Sequence, residues 1–206
     1  MITSLPNLLT LSRILVIPLI VALYYVDTPL GYWAAFALYV VACITDFFDG
    51  YLARHFGQLS NLGRFLDPIA DKLLVACIIF MLVAHDHLVG IHVLAGLVIL
   101  LREIIVSGLR EFLADLRVSV PVSRLAKWKT TSQMCALGFL IVAPASPEIF
   151  PSQVIGLILI WIAAVLTLVT GFDYLTAGLR HMTAPEPGTP AKRDADPGHE
   201  GAAGSG

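Results

Sequence analysis

The sequence predicts an all-α integral membrane protein of six transmembrane helices with a polar cavity at its cytoplasmic face. Three observations carry that expectation. The 206 residues are 57% hydrophobic, and their mean hydropathy of +0.82 is far above that of a soluble globular chain. Six apolar runs approach the ~20 residues needed to cross a bilayer core. Finally, the Lys and Arg residues avoid the loops on one side altogether.

The first run, about Leu8–Val26, is entered through Leu5-Pro6-Asn7-Leu8-Leu9-Thr10-Leu11-Ser12-Arg13. Asn7, Thr10 and Arg13 recur every third residue and so share one helix face. An arginine two turns into an apolar helix is costly and needs a partner or a ligand. We read the stripe as facing an acidic pocket and helping to hold a diphosphate; the alternative is that Arg13 snorkels to the headgroups. No basic n-region or small-residue cleavage site marks a signal peptide.

The second run, about Tyr32–Ala53, ends in Asp46-x-x-Asp49-Gly50-x-x-Ala53-Arg54. Eight residues later comes Gly63-x-x-x-Asp67-x-x-x-Asp71, leading into the third run, about Pro68–Ala84. Pro68 suits the first turn of a helix capped by Asp67, or else a kinked helix. The fourth run, about Leu88–Leu113, contains Arg102 and Arg110, and the fifth, about Leu125–Val142, contains Lys127 and Lys129. The sixth, about Val154–Leu179, carries Asp173 as a candidate partner for an intramembrane cation such as Arg13. These runs make 1–182 one membrane domain and leave no room for a soluble catalytic domain. The Pro- and Gly-rich tail, 183–206, is too polar to bury a core and is expected to be disordered.

Charge sets the orientation. The turn Asp27–Gly31 and the loops His85–His87 and Ala143–Gln153 contain no Lys or Arg. All 13 basic residues lie on the opposite side or in the helix ends facing it. The positive-inside rule therefore places both termini and the acidic segment at the cytoplasmic face. Cys43, Cys77 and Cys135 read as apolar fillers rather than disulfide partners. His85, Asp86, His87 and His92 read as an outer, solvated loop, and Trp33 and Trp128 as interfacial anchors.

The acids carry the chemistry. Offsets of three and four put Asp46 with Asp49, and Asp67 with Asp71, on common helix faces. Two such helices side by side make a four-carboxylate pocket, an all-oxygen site for Mg²⁺, Mn²⁺ or Ca²⁺. Two metals there would clamp a phosphoryl group in transfer. Gly50 and Ala53, on the face of Asp46, open space beside the carboxylates, and Arg54 offers a fork for phosphate oxygens. Two other readings are a solvated loop, with Arg54, Arg64 and Lys72 pairing the acids, and a small cation channel or transporter. The channel would place acids near the bilayer midplane on several helices, whereas here they cluster at one membrane edge.

The eight-position spacing from Asp46 to Asp71 resembles the signature of the CDP-alcohol phosphatidyltransferase family, and every motif position is present. The resemblance implies two divalent cations, Mg²⁺ or Mn²⁺, on Asp46, Asp49, Asp67 and Asp71, with Asp71 also the general base. It implies a cytidine diphosphate site lined by Asp46, Gly50, Ala53 and Arg54, which the Asn7, Thr10 and Arg13 stripe would join, all in a cytoplasmic-face active-site cavity. The reaction implied is attack of an acceptor hydroxyl on the phosphatidyl phosphorus, with CMP leaving.

The acceptor is read from the second basic segment. Arg102, Arg110, Lys127 and Lys129 suit an acceptor that carries its own phosphate; their alternative role is to set topology and attract anionic lipids. The segments Leu101–Phe112, Val122–Met134 and Pro6–Arg13 resemble the branch of the family that joins CDP-diacylglycerol to sn-glycerol 3-phosphate. Phosphatidylglycerol, inositol phosphate and serine remain alternative acceptors. The resemblance also implies a multi-pass protein of the bacterial inner membrane, surrounded by membrane lipids, acting as a homodimer and without a nucleic-acid partner.

Overall fold

The computed structural model describes residues 5–56, 61–115 and 124–183. They form six long α-helices: α1 (Leu5–Val26), α2 (Pro29–Phe56), α3 (Asn61–Ala84), α4 (His92–Asp115), α5 (Arg124–Val142) and α6 (Ser152–Thr183). A single 3₁₀ turn, Ala143–Ala145, follows α5. The expected tail and the positions of Arg117, Lys192 and Arg193 lie outside the described residues, as do the side chains of Asn7, Asp49, Ala53, Arg54 and Asp173.

The all-helical expectation holds for the described residues. Four helices are long and apolar enough to cross a membrane: Leu8–Val26, Pro29–Asp46, His92–Leu113 and Ser152–Thr176. The other two, α3 and α5, carry more charged residues: Arg64, Asp67, Asp71 and Lys72 on α3, and Arg124, Lys127 and Lys129 on α5. Those charges lower their hydropathy without shortening them. At 1.5 Å per residue, the 24 residues of α3 span ~36 Å.

Tight turns set the helices side by side. Asp27 adopts a positive φ of 46°, and the Gly31 amide donates to Thr28 Oγ1 at 3.1 Å. Thr28 is thus the N-cap of α2, and Pro29 fills the first helical position, where no N–H is needed. Between α3 and α4, Asp86 and Gly90 take positive φ values of 59° and 57°. The His87 and Leu88 amides fold back onto the Leu82 carbonyl, which satisfies the end of α3. Gln153 Nε2 ties this loop to α6 by donating to the His87 carbonyl at 2.7 Å.

Packing follows the turns. Helix α1 lies against α2 and α3, α6 lies against α4 and α5, and α2 meets α5 between the two groups. The shared core includes Ile17, Ile20, Ile78, Leu82, Ile99, Leu137, Leu140 and Ile160, all buried. Gly156 permits the closest approach, since a Cβ there would sit 2.7 Å from the Leu140 side chain. The outside is apolar, with Leu15, Leu30, Phe80, Ile104, Val165 and Phe172 exposed, while Thr10, Arg13, Lys129, Gln133, Thr167 and Thr170 are buried. An apolar exterior around a polar interior suits a lipid solvent.

Three expectations change. Of the two readings of Pro68, the first-turn one gives way: Pro68 lies inside α3, with helix on both sides, as the other reading had it, and Asp67 is not a cap; a proline there removes one backbone donor. Lys72, considered as a partner for the acids, donates to the Pro68 carbonyl at 2.7 Å. The outer histidine loop is not simply solvated. The rings of His85 and His87 lie 5.3 and 6.0 Å from the ring of Tyr24, which is fully buried. Burial lowers the His87 pKa, and neighbouring His85 adds to the effect. His92 stands apart from them, accepting at Nδ1 from Trp161 Nε1 at 3.0 Å.

Candidate active site

The acidic site is assembled from α1, α2 and α3. Arg13, only 1% exposed, stands at its centre. Its Nη1 is 2.8 Å from Asp46 Oδ1 and 4.0 Å from Asp67 Oδ1, and it donates to Asp71 Oδ1. The Asp46 and Asp71 carboxyl groups are neighbours around the same guanidinium nitrogen. Thr10, one helical turn before Arg13, donates from Oγ1 to Asp67 Oδ1 at 3.0 Å. Thr10 and Arg13 of the stripe read from the sequence therefore face the acids.

Burial rules out snorkelling for Arg13. Its described partners are carboxylates, because three negative charges brought together at a membrane edge need a counter-charge. Three described carboxyl groups share one guanidinium. The donors are oxygens only, and the acids remain partly open, at 30%, 42% and 47% side-chain exposure for Asp46, Asp67 and Asp71. That chemistry fits hard divalent cations. Among the described residues, no three acid, His or Cys side chains are already arranged as a ligand set; Arg13 occupies the space between them. Asp49, Gly50, Ala53 and Arg54 lie on the same stretch of α2, but their side chains are not described.

A second polar cluster joins α4, α5 and α6. Lys129, 4% exposed, donates from Nζ to Glu103 Oε1. Arg102 Nη1 lies 3.7 Å from the same carboxylate oxygen, and Arg102 Nη2 donates to Thr170 Oγ1 at 3.1 Å. Arg110 Nη2 donates to the Tyr174 hydroxyl at 3.2 Å. The guanidinium carbons of Arg102 and Arg110 lie 5.8 and 5.4 Å from the Tyr174 ring centre, close enough for cation–π attraction. The Arg102 stem passes Gly171, where a Cβ would meet its Cγ at 3.1 Å. The cluster thus holds Arg102, Arg110 and Lys129 but not Lys127, which is exposed and makes none of these contacts.

Sequence reasoning missed Glu103, Thr170, Gly171 and Tyr174. One signal was available: Thr167, Thr170 and Tyr174 recur at offsets of three and four after the long apolar run that opens at Val154, the kind of pattern that exposed the Arg13 stripe.

An apolar cavity of about 810 Å³ lies between α2 and α5, lined by residues including Trp33, Phe36, Tyr39, Gly138 and Phe139. It runs from Phe150, beyond the 3₁₀ turn, to Ile44 and Phe48, the residues flanking Asp46 on α2.

A bundle of long apolar helices that gathers carboxylates in one cluster and buried or half-buried cations in another defines a class: an integral membrane protein with two charged sites built into its helices. The comparisons narrow it. The family model for CDP-alcohol phosphatidyltransferase matches residues 3–169, and the chain belongs to that family. A CDP-diacylglycerol–glycerol-3-phosphate 3-phosphatidyltransferase of Rickettsia typhi is 49% identical over 174 residues, covering 84% of this chain and 96% of the relative. Proteins of the same name from Shigella flexneri serotype 5b, 43% identical over 84% of this chain and 94% of the relative, and Cereibacter sphaeroides, 36% identical over 87% and 97%, are also similar.

Proposed function

We propose that this protein transfers the phosphatidyl group of CDP-diacylglycerol to sn-glycerol 3-phosphate, giving phosphatidylglycerophosphate and CMP. The observation that carries the reading is that one helical bundle holds two charge clusters: acids on α2 and α3, and Arg102, Arg110 and Lys129 on α4 and α5. Family membership and the names of the relatives support the same reading.

Asp46, Asp49, Asp67 and Asp71 would hold two divalent cations, Mg²⁺ or Mn²⁺. Cations held there would neutralise diphosphate charge and stabilise the leaving phosphate. Arg13 and Thr10 keep Asp46, Asp67 and Asp71 gathered at one point. Asn7, Gly50, Ala53 and Arg54 complete the cytidine diphosphate side. The cavity between α2 and α5 takes the apolar part of the donor, since it reaches the turn of α2 that bears Asp46. Arg102, Arg110 and Lys129 grip the acceptor's phosphate, with the exposed Lys127 as a further cation of the acceptor side.

Asp71 accepts the proton of the acceptor hydroxyl as its oxygen forms the new bond to the phosphatidyl phosphorus. The bond from that phosphorus to the diphosphate bridging oxygen breaks, and CMP leaves with the electron pair. No covalent enzyme intermediate is required. The protein spans the membrane six times, as in the bacterial inner membrane, with both termini and the active site cytoplasmic and two copies forming a homodimer.

The test is CMP release by the detergent-purified protein with CDP-diacylglycerol, glycerol 3-phosphate and Mg²⁺ or Mn²⁺. Turnover that disappears in Asp71→Asn while the protein remains folded supports the reading. Undiminished turnover in that variant overturns the role of Asp71.

A further inference from the structure

The cationic cluster contains one described acid, and its position suggests a role. We propose that Glu103 is a positioning residue for acceptor recognition, holding the Lys129 ammonium so that it meets the acceptor's phosphate in a fixed place. This rests on the functional reading above, in which these cations take that phosphate.

The three cations differ in what else holds them. Arg102 is fixed by Thr170 and stacks on Tyr174, and Arg110 is fixed by the Tyr174 hydroxyl and ring. Lys129 has a flexible four-carbon stem and a point charge, so geometry must be imposed on it from outside. Glu103 imposes it, reaching from α4 to α5. One carboxylate contact leaves the other ammonium hydrogens available to a ligand. Lys129 also lies near enough to Arg102 and Arg110 to be repelled by both. Without Glu103, a nearly buried ammonium would lose its counter-charge while its like-charged neighbours remained, which is the costly case for a buried ion. Arg102 and Arg110 would keep their other partners, so the damage should fall on Lys129.

A competing role on the same geometry makes the opposite prediction. If Glu103 merely competed with phosphate for Lys129, its removal would tighten acceptor binding. The two roles give opposite signs.

The experiment is steady-state CMP release by full-length protein in detergent, varying glycerol 3-phosphate and CDP-diacylglycerol separately. The variants are Glu103→Gln, Glu103→Asp, Lys129→Met and the double variant Glu103→Gln/Lys129→Met, with folding checked by gel filtration and thermal melting. For Glu103→Gln, KM for glycerol 3-phosphate should rise about tenfold, the scale of one charge-assisted hydrogen bond. Its KM for CDP-diacylglycerol and its kcat should stay within about twofold of wild type, because a positioning loss on the acceptor side leaves the donor side intact. Glu103→Asp should fall in between, and the double variant should be no worse than Lys129→Met alone. An unchanged or lowered KM for glycerol 3-phosphate in a folded Glu103→Gln protein would overturn the proposal, and so would an additive double variant. Should the Gln variant not fold, Glu103→Asp carries the test: a several-fold rise confined to the acceptor KM supports the role, and no such split overturns it. Wild-type turnover with glycerol 3-phosphate is read first, so failure of the functional reading is seen separately from failure of the Glu103 role.

Discussion

Replacing Arg13 with methionine probes the centre of the acidic site. Methionine keeps much of the apolar stem and removes the guanidinium. Arg13 is fully buried at its side chain, while its acidic partners are 30–47% exposed. Removing one partner of a fully buried ion pair costs ~3–5 kcal/mol, whereas exposed pairs are worth ~0–1 kcal/mol. Half-open carboxylates place this case between the two, at about 2–3 kcal/mol. For a chain of this size that corresponds to a fall in Tm of roughly 5–10 °C. The assay is thermal melting in detergent with EDTA and again with millimolar Mg²⁺ or Mn²⁺. With Arg13 gone, the acids lack their built-in counter-charge, so a divalent cation should raise the Tm of the variant more than that of wild type. A loss smaller than about 2 °C, or equal cation stabilisation of both proteins, would refute the reasoning that Arg13 stands as counter-charge to a cation-binding set.

Other expected outcomes follow from the packing. Gly156→Val places atoms where a Cβ already sits 2.7 Å from Leu140, so α5 and α6 must part; a loss of about 1–3 kcal/mol is expected, read as a lower Tm. Gly138→Trp fills the cavity between α2 and α5, where even a Cβ meets Phe36 at 3.2 Å. It should raise KM for CDP-diacylglycerol severalfold and leave that for glycerol 3-phosphate nearly unchanged, as separate titrations would show. Because burial lowers the His87 pKa, the folded protein binds fewer protons there than the unfolded chain. Stability should therefore decline as pH falls below roughly 6.5, and melting of His87→Gln between pH 7.5 and 5.5 should show a weaker decline.

Much of the arrangement was legible in the sequence because apolar length and charge placement are one-dimensional signals. The helix count came from apolar length, and spacing put Thr10 and Arg13 on one face, which the structure turns toward Asp46, Asp67 and Asp71. Boundaries were less legible where function and hydropathy conflict. The span Pro68–Ala84 was read as starting at a proline, whereas α3 begins at Asn61, because the charged first turns of a site helix look like loop. Partner choice was the least legible. Nothing local to Glu103 says that it reaches Lys129, 26 positions away, rather than serving its neighbour Arg102. Tyr174 could be flagged by its spacing from Thr170, but its place beside two guanidinium groups follows from how α6 packs on α4. The histidine loop was misjudged for the same reason: Tyr24 lies some 60 residues earlier in the chain, and only folding brings its ring beneath His85 and His87.

The central claim is the acceptor, and the most direct measurement offers several at once. Purified protein with CDP-diacylglycerol and Mg²⁺ or Mn²⁺ is given glycerol 3-phosphate, inositol phosphate, serine or phosphatidylglycerol in parallel, with CMP release and the lipid product both followed. The account expects phosphatidylglycerophosphate from glycerol 3-phosphate and background release with the others. Turnover with serine or phosphatidylglycerol instead would contradict the reading of Arg102, Arg110 and Lys129 as a phosphate grip. Folded protein that releases no CMP with any acceptor would contradict the transferase reading itself and favour an ion-site role for the acids.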